Sequence, residues 1–150
     1  MAHYESKHGN VHKSRPEMYM MFTDLSNFTR MLPEQYRYSV TADYDHLAAT
    51  VQGLTIGVAV DERRPYDRIR IISADSPVDF CILLHFERAD DESHTDFSIE
   101  LDADLNFMMK TMVGGRLGEG LDRIVDALVD ASNGIIPEGM PSDFKPENFR

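Results

Sequence analysis

The residues that could do chemistry are few and scattered. Six histidines are present, at 3, 8, 12, 46, 85 and 94. His8 and His12 stand four apart, the spacing that brings two imidazoles together on one face of a helix. Gly9-Asn10 falls between them, which places them on a strand end and a loop instead. No third ligand lies nearby in the chain, so a structural zinc site is not expected. The lone cysteine, Cys81, has no basic neighbour in sequence to lower its thiol pKa and is not expected to act as a nucleophile. Acidic residues gather at 90–92 and again at Asp96, Glu100, Asp102 and Asp104. A catalytic carboxylate needs burial to raise its pKa. The first group is the tip of a hairpin, and the second alternates with apolar positions and therefore faces water. The run "GGRLGEG", residues 114–120, lacks the lysine and Ser/Thr of a phosphate-binding loop and follows no strand-to-loop step, so it is not read as a nucleotide site. Tyr19, Tyr38 and Tyr44 are the hydroxyl donors that an enzyme's cavity would use, and nothing in their spacing fixes them together. No catalytic residue, cofactor or metal is expected.

The elements that must position these residues are much clearer. A chain of 150 residues, 42% hydrophobic and 27% charged, fits one domain with a core of its own. The net charge of −11 argues against nucleic acid and anionic membranes as partners. No apolar run is long enough for stable membrane insertion. One cysteine, no disulfide and no apolar leader at the N-terminus point to the cytoplasm.

Residues 3–8 alternate as a strand that Gly9 and Asn10 are expected to end. Ser14, Pro16 and Glu17 form a helix start with a capping box. The helix then breaks inside "MFTDLSNFTRMLPE", residues 21–34. Asp24 and Ser26 are poor interior residues that can cap a second short helix, and Pro33 stops it. From about 36 to 102 the apolar period becomes two, over segments near 36–42, 46–52, 54–62, 67–73, 78–88 and 94–102. Short polar links between them predict an antiparallel meander. Residues 104–132 return to spacings of three and four, the mark of one long amphipathic helix about 40 Å in length. The remainder, 133–150, has three prolines and reads as an extended tail, which leaves one domain over 1–132.

The order strand, two short helices, six strands and one long helix resembles the START-like, or SRPBCC, superfamily. The resemblance covers roughly residues 3–131. It rests on that order and on two stretches, "YESKHGNVHKSRPEMYMMFTDLSNFTRMLPE" and "FSIELDADLNFMMKTMV", which are similar to the opening and to the last strand and closing helix of a bacterial group. What it implies is an α+β helix-grip fold, a curved seven-stranded antiparallel sheet gripping the C-terminal helix around a hydrophobic cavity. Members bind lipids, sterols, polyketides or plant hormones; others are cyclases, dehydratases or chaperone cofactors. The implied function here is binding of a lipophilic small molecule, with a polyketide cyclase or dehydratase and a protein-binding module as alternatives. Side-chain direction then aims Phe80, Ile82, Leu84, Phe97 and Ile99 from the sheet, and Met109 and Met112 from the helix, at a common space. That space is expected to open near the short helices at 25–33. Gly114, Gly115 and Gly118 are read as thinning the helix over it.

Overall fold

The computed structural model describes residues 2–31, 39–51 and 53–134. The expected stop at Leu32-Pro33, Tyr38 and the tail from 135 lie outside the described residues. Among the described residues eight strands form one antiparallel sheet: β1 (Ala2–Glu5), β2 (Gly9–Val11), β3 (Val40–Ala42), β4 (His46–Val51), β5 (Leu54–Arg64), β6 (Arg68–Ser73), β7 (Phe80–Arg88) and β8 (Thr95–Ala103). The order across the sheet is β1-β8-β7-β6-β5-β4-β3, with β2 also paired to β8. β1 and β2 are thus two halves of one broken edge strand, so seven positions are filled. The helices are α1 (Arg15–Thr23), α2 (Phe28–Met31) and α3 (Phe107–Ser132), with a 3-10 turn at Leu25–Asn27 between the first two. No helix among the described residues is long and apolar enough to cross a membrane.

Gly9 and Asn10 do not end the first strand, as their types suggested; they belong to β2. The break falls at Ser6–His8. Ser6 bridges it by donating its N–H to the Ile99 carbonyl and accepting the Ile99 N–H on its hydroxyl, both at 2.8 Å. Glycine at position 9 answers a different need. A Cβ there would stand 2.5 Å from Val125 Cγ1 and 2.8 Å from Val129 Cγ2. The edge strand lies that close to α3.

α1 starts as its residues dictate. The Ser14 side chain accepts the Glu17 N–H, and the Glu17 carboxylate accepts the Ser14 N–H. Alternation along β7 and β8 puts Leu84, Phe86, Phe97 and Ile99 on the inner face. Phe22 from α1 inserts above them, its ring centroid 5.6 Å from that of Phe97 and 6.0 Å from that of Phe86. Phe86 and Phe97 are fully buried.

The break after Thr23 is built by three side chains. Asp24 accepts the Ser26 N–H at 3.0 Å and its hydroxyl at 2.6 Å. Asn27 donates to the Met21 carbonyl at 2.9 Å. Arg63 donates from Nη2 to the Thr23 carbonyl and from Nε to the Thr23 hydroxyl, both at 2.8 Å. Its Nη2 also reaches the Tyr44 carbonyl at 3.0 Å, its Nη1 pairs with Asp45 at 2.7 Å, and its guanidinium lies 4.2 Å from the Tyr44 ring centre. A cation therefore sits on the carbonyl end of α1, where the helix dipole favours it. Arg63 reaches that position because the β5–β6 register shifts between Val60 and Glu62. The bulge reverses the strand's alternation, so Arg63 joins the face of Ile69 and Glu62 turns outward. The expected strand ended at 62 and left Arg63 in a link. Continuous alternation would have pointed it to solvent.

Arg63→Met removes four polar contacts from a mostly buried cation and should lower stability by about 1.5–3 kcal/mol in urea unfolding. Arg64→Met, at an exposed neighbour, should change it by less than about 0.5 kcal/mol. Equal effects of the two would refute the anchoring role.

Candidate functional site

α3 begins at Phe107, three residues later than its apolar period suggests, because the Asn106 side chain accepts the Met109 N–H at 2.8 Å and caps it there. Its two halves meet the sheet differently. Leu121, Val125, Leu128 and Ala131 are buried in the core. In the first half, by contrast, Met109 and Leu117 are only half-buried and Met108 is exposed. Beneath this half the inner face of the sheet is left uncovered, as an open apolar cavity of about 390 Å³. Phe80, Ile82 and Val78 line it from β7 and the loop before it. Leu101 and Ala103 come from the end of β8, Leu54 and Ile56 from the start of β5, and Met109 and Leu117 from α3.

Of the residues that alternation and helical spacing assign to a common space, Phe80, Ile82 and Met109 line this cavity. Leu84, Phe97 and Ile99 share the same face but lie in the packed core, at 6%, 0% and 3% exposure. Phe22 fills the space above that part of the sheet. The side chain of Met112 lies outside the described residues. The mouth departs from expectation too. Among the described residues, none of the 3-10 turn or α2 lines the cavity; its open side carries Leu54 and Ile56, which are 49% and 37% exposed. Leu101, Leu105, Leu117 and the 76–78 loop escape sequence reasoning. The first three belong to apolar runs whose buried and cavity-lining members look alike.

The glycines of α3 act less directly than a thinned helix implies. A Cβ at Gly115, Gly118 or Gly120 would meet nothing within 4 Å, and at Gly114 it would meet only the Tyr4 hydroxyl at 3.1 Å. The run stays helical, within one unbroken α3.

Polar chemistry converges poorly on the cavity. Among the described residues, Ser76 is its only lining side chain with a hydroxyl. That hydroxyl donates to the Gly57 carbonyl at 2.7 Å and accepts the Gly57 N–H at 2.8 Å. Tyr19 packs edge-on to Tyr66 and Tyr44 lies under Arg63, both away from the cavity. Cys81 is on the outer face, and burial pushes its thiol pKa up, against the opposing influence of Arg70. His85 shares that face, with Nε2 3.5 Å from Glu100. His3 lies there as well, between Glu5 at 3.1 Å and Asp102 at 2.6 Å. The hydrogen bonds to Glu5 and then Asp102 raise its pKa above the ordinary 6.5.

No protein-family model matches the chain, and no curated protein matches it in sequence. Solved structures do match in shape. A Thermobifida fusca protein determined by solution NMR is 13% identical, with a TM-score of 0.65 over 89% of this chain and 94% of its own. A point mutant of Thalictrum norcoclaurine synthase, solved with a transition-state analogue, is 12% identical, with a TM-score of 0.64 over 89% and 93%. The Aha1 dimer of Colwellia psychrerythraea is 12% identical, with a TM-score of 0.61 over 87% and 96%. The fold is helix-grip-like. At such identities the likeness speaks for the fold alone.

The raised pKa of His3 gives a signed pH dependence. Its contribution to folding is complete below the unfolded value of 6.5 and is lost as pH rises through the higher folded value. By NMR titration His3 should therefore titrate above 6.5, and Asp102→Asn should bring it down. An unchanged His3 pKa in that variant would show that the contact does not form in solution.

Proposed function

We propose that the chain is a START-like domain over residues 1–132 that holds a lipophilic small molecule between its sheet and the first half of α3, without catalysing a reaction. The observation that carries this reading is the composition of the cavity. Its described lining is aliphatic, aromatic and thioether, with the one hydroxyl among those residues already paired to Gly57. Its volume of about 390 Å³ falls within the range of small-molecule sites. Phe80, Ile82, Leu101, Met109 and Leu117 are the contact residues we assign, with Met112 added from the helical spacing. Leu84, Phe97 and Ile99 serve as the packed floor that holds the cavity's shape. A cyclase or dehydratase would need two polar side chains meeting in the cavity, and the described lining does not offer them. A purely protein-binding role fits a filled interior better than this one. The cytoplasm remains the compartment we assign.

The test uses a neutral apolar fluorophore, N-phenyl-1-naphthylamine. The wild type should bind it saturably. Met109→Trp should fill the cavity and weaken binding at least about tenfold, while costing less than the roughly 1–3 kcal/mol of overpacking a filled core. No saturable binding by the wild type, or equal binding by Met109→Trp, would overturn the proposal.

A further inference from the structure

We propose that His8, Glu87 and Asp96 form a divalent transition-metal site, best suited to zinc, on the outer face of the sheet where β2 meets the β7–β8 hairpin. The three residues come from separate parts of the chain, and their ligand atoms all lie within 4.8 Å of one another. His8 Nδ1 is 2.8 Å from Asp96 Oδ1 and 4.0 Å from Glu87 Oε2. One nitrogen therefore faces both carboxylates, and the three ligand atoms converge. His3 provides the contrast on the same face. Its Nδ1 meets Asp102 and its Nε2 meets Glu5, on opposite sides of the ring, an arrangement that bridges protons and cannot chelate.

Strand register produces the convergence. Glu87 and Asp96 are direct partners on β7 and β8, and like charges in that position repel. His8 hangs over them from the break in the edge strand, just before Gly9 pairs with Phe97. Tetrahedral zinc with bonds of about 2.0–2.1 Å keeps its ligands roughly 3.3 Å apart, so the two His8 separations need change by less than about 1 Å. An imidazole nitrogen with two carboxylate oxygens suits zinc better than magnesium or calcium, which take oxygen alone. The side chains are 59%, 55% and 37% exposed, and Asp96 and His8 border an open recess of about 460 Å³, so water can complete the coordination. The absence of a third ligand near His8 and His12 in sequence does not extend to space. The two histidines simply part company, and His12 stacks on His94 with ring centroids 4.3 Å apart.

Isothermal titration calorimetry of the tag-free full chain with zinc chloride, near neutral pH, tests the site. One zinc should bind per chain. His8→Gln and Asp96→Asn should each weaken it by at least the roughly 10-fold that losing even an outer-shell partner costs, while His3→Gln leaves it unchanged and magnesium chloride gives no comparable binding. Metal-free thermal melts identify any variant that fails to fold, and Glu87→Gln then stands in for it. No zinc binding by the wild type, equal affinity in His8→Gln, or magnesium binding as tightly as zinc would each overturn the proposal.

Discussion

One constraint governs the architecture: the sheet has a continuous apolar inner face, and α1 and α3 have to share the covering of it. That face runs from Val58, Ile69 and Ile71 through Ile82, Leu84 and Phe86 to Phe97, Ile99 and Leu101. Exposed apolar area costs about 25 cal/mol per Å², so anything left uncovered must gain something in return or be covered by something else. α3 covers the edge-strand end with Leu121, Val125, Leu128 and Ala131. α1 covers the middle with Met18, Met21 and Phe22. Over the end formed by Phe80, Ile82, Leu101 and Ala103 only the first half of α3 passes, through the half-buried Met109 and Leu117, and the cavity lies there.

The features around this constraint follow from it. Gly9 lets the edge strand approach α3. The Asp24–Asn27 break and the Arg63 clamp turn the helical connection so that Phe22 points down and Leu25 is buried behind it. At the open end, Gly114, Gly115, Gly118 and Gly120 each cost the helix about 0.8–1 kcal/mol relative to alanine. For Gly115, Gly118 and Gly120 no neighbour within 4 Å requires the missing side chain. The first half of α3 is therefore weak in its own backbone and lightly packed below. Local opening is drawn from such segments, which suits a cover over the cavity proposed to hold a ligand.

Much of this was legible in the residues. Period two in "VDFCILLHFER" and "TDFSIELDAD" marks β7 and β8 and their inner faces, because adjacent pleats must face opposite ways. The capping box at Ser14 fixes the start of α1. Alternation also assigned Phe80 and Ile82 to the same face as Leu84, Phe97 and Ile99. It could not say which of them a neighbouring element would bury, since that depends on where Phe22 arrives from 58 and more residues away in the chain. The β5 bulge leaves no mark in sequence, so local pattern alone puts Arg63 in a link. The meeting of His8 with Glu87 and Asp96 depends on strand register, which no local spacing encodes.

α3 grips firmly with its second half and loosely with its first, over the cavity. Hydrogen-exchange mass spectrometry across α3 tests this directly. Amides in 108–120 should exchange faster than those in 121–131, and saturating neutral apolar probe should slow the first group alone. Uniform protection along the helix, or probe-induced protection confined to another part of the molecule, would contradict the account.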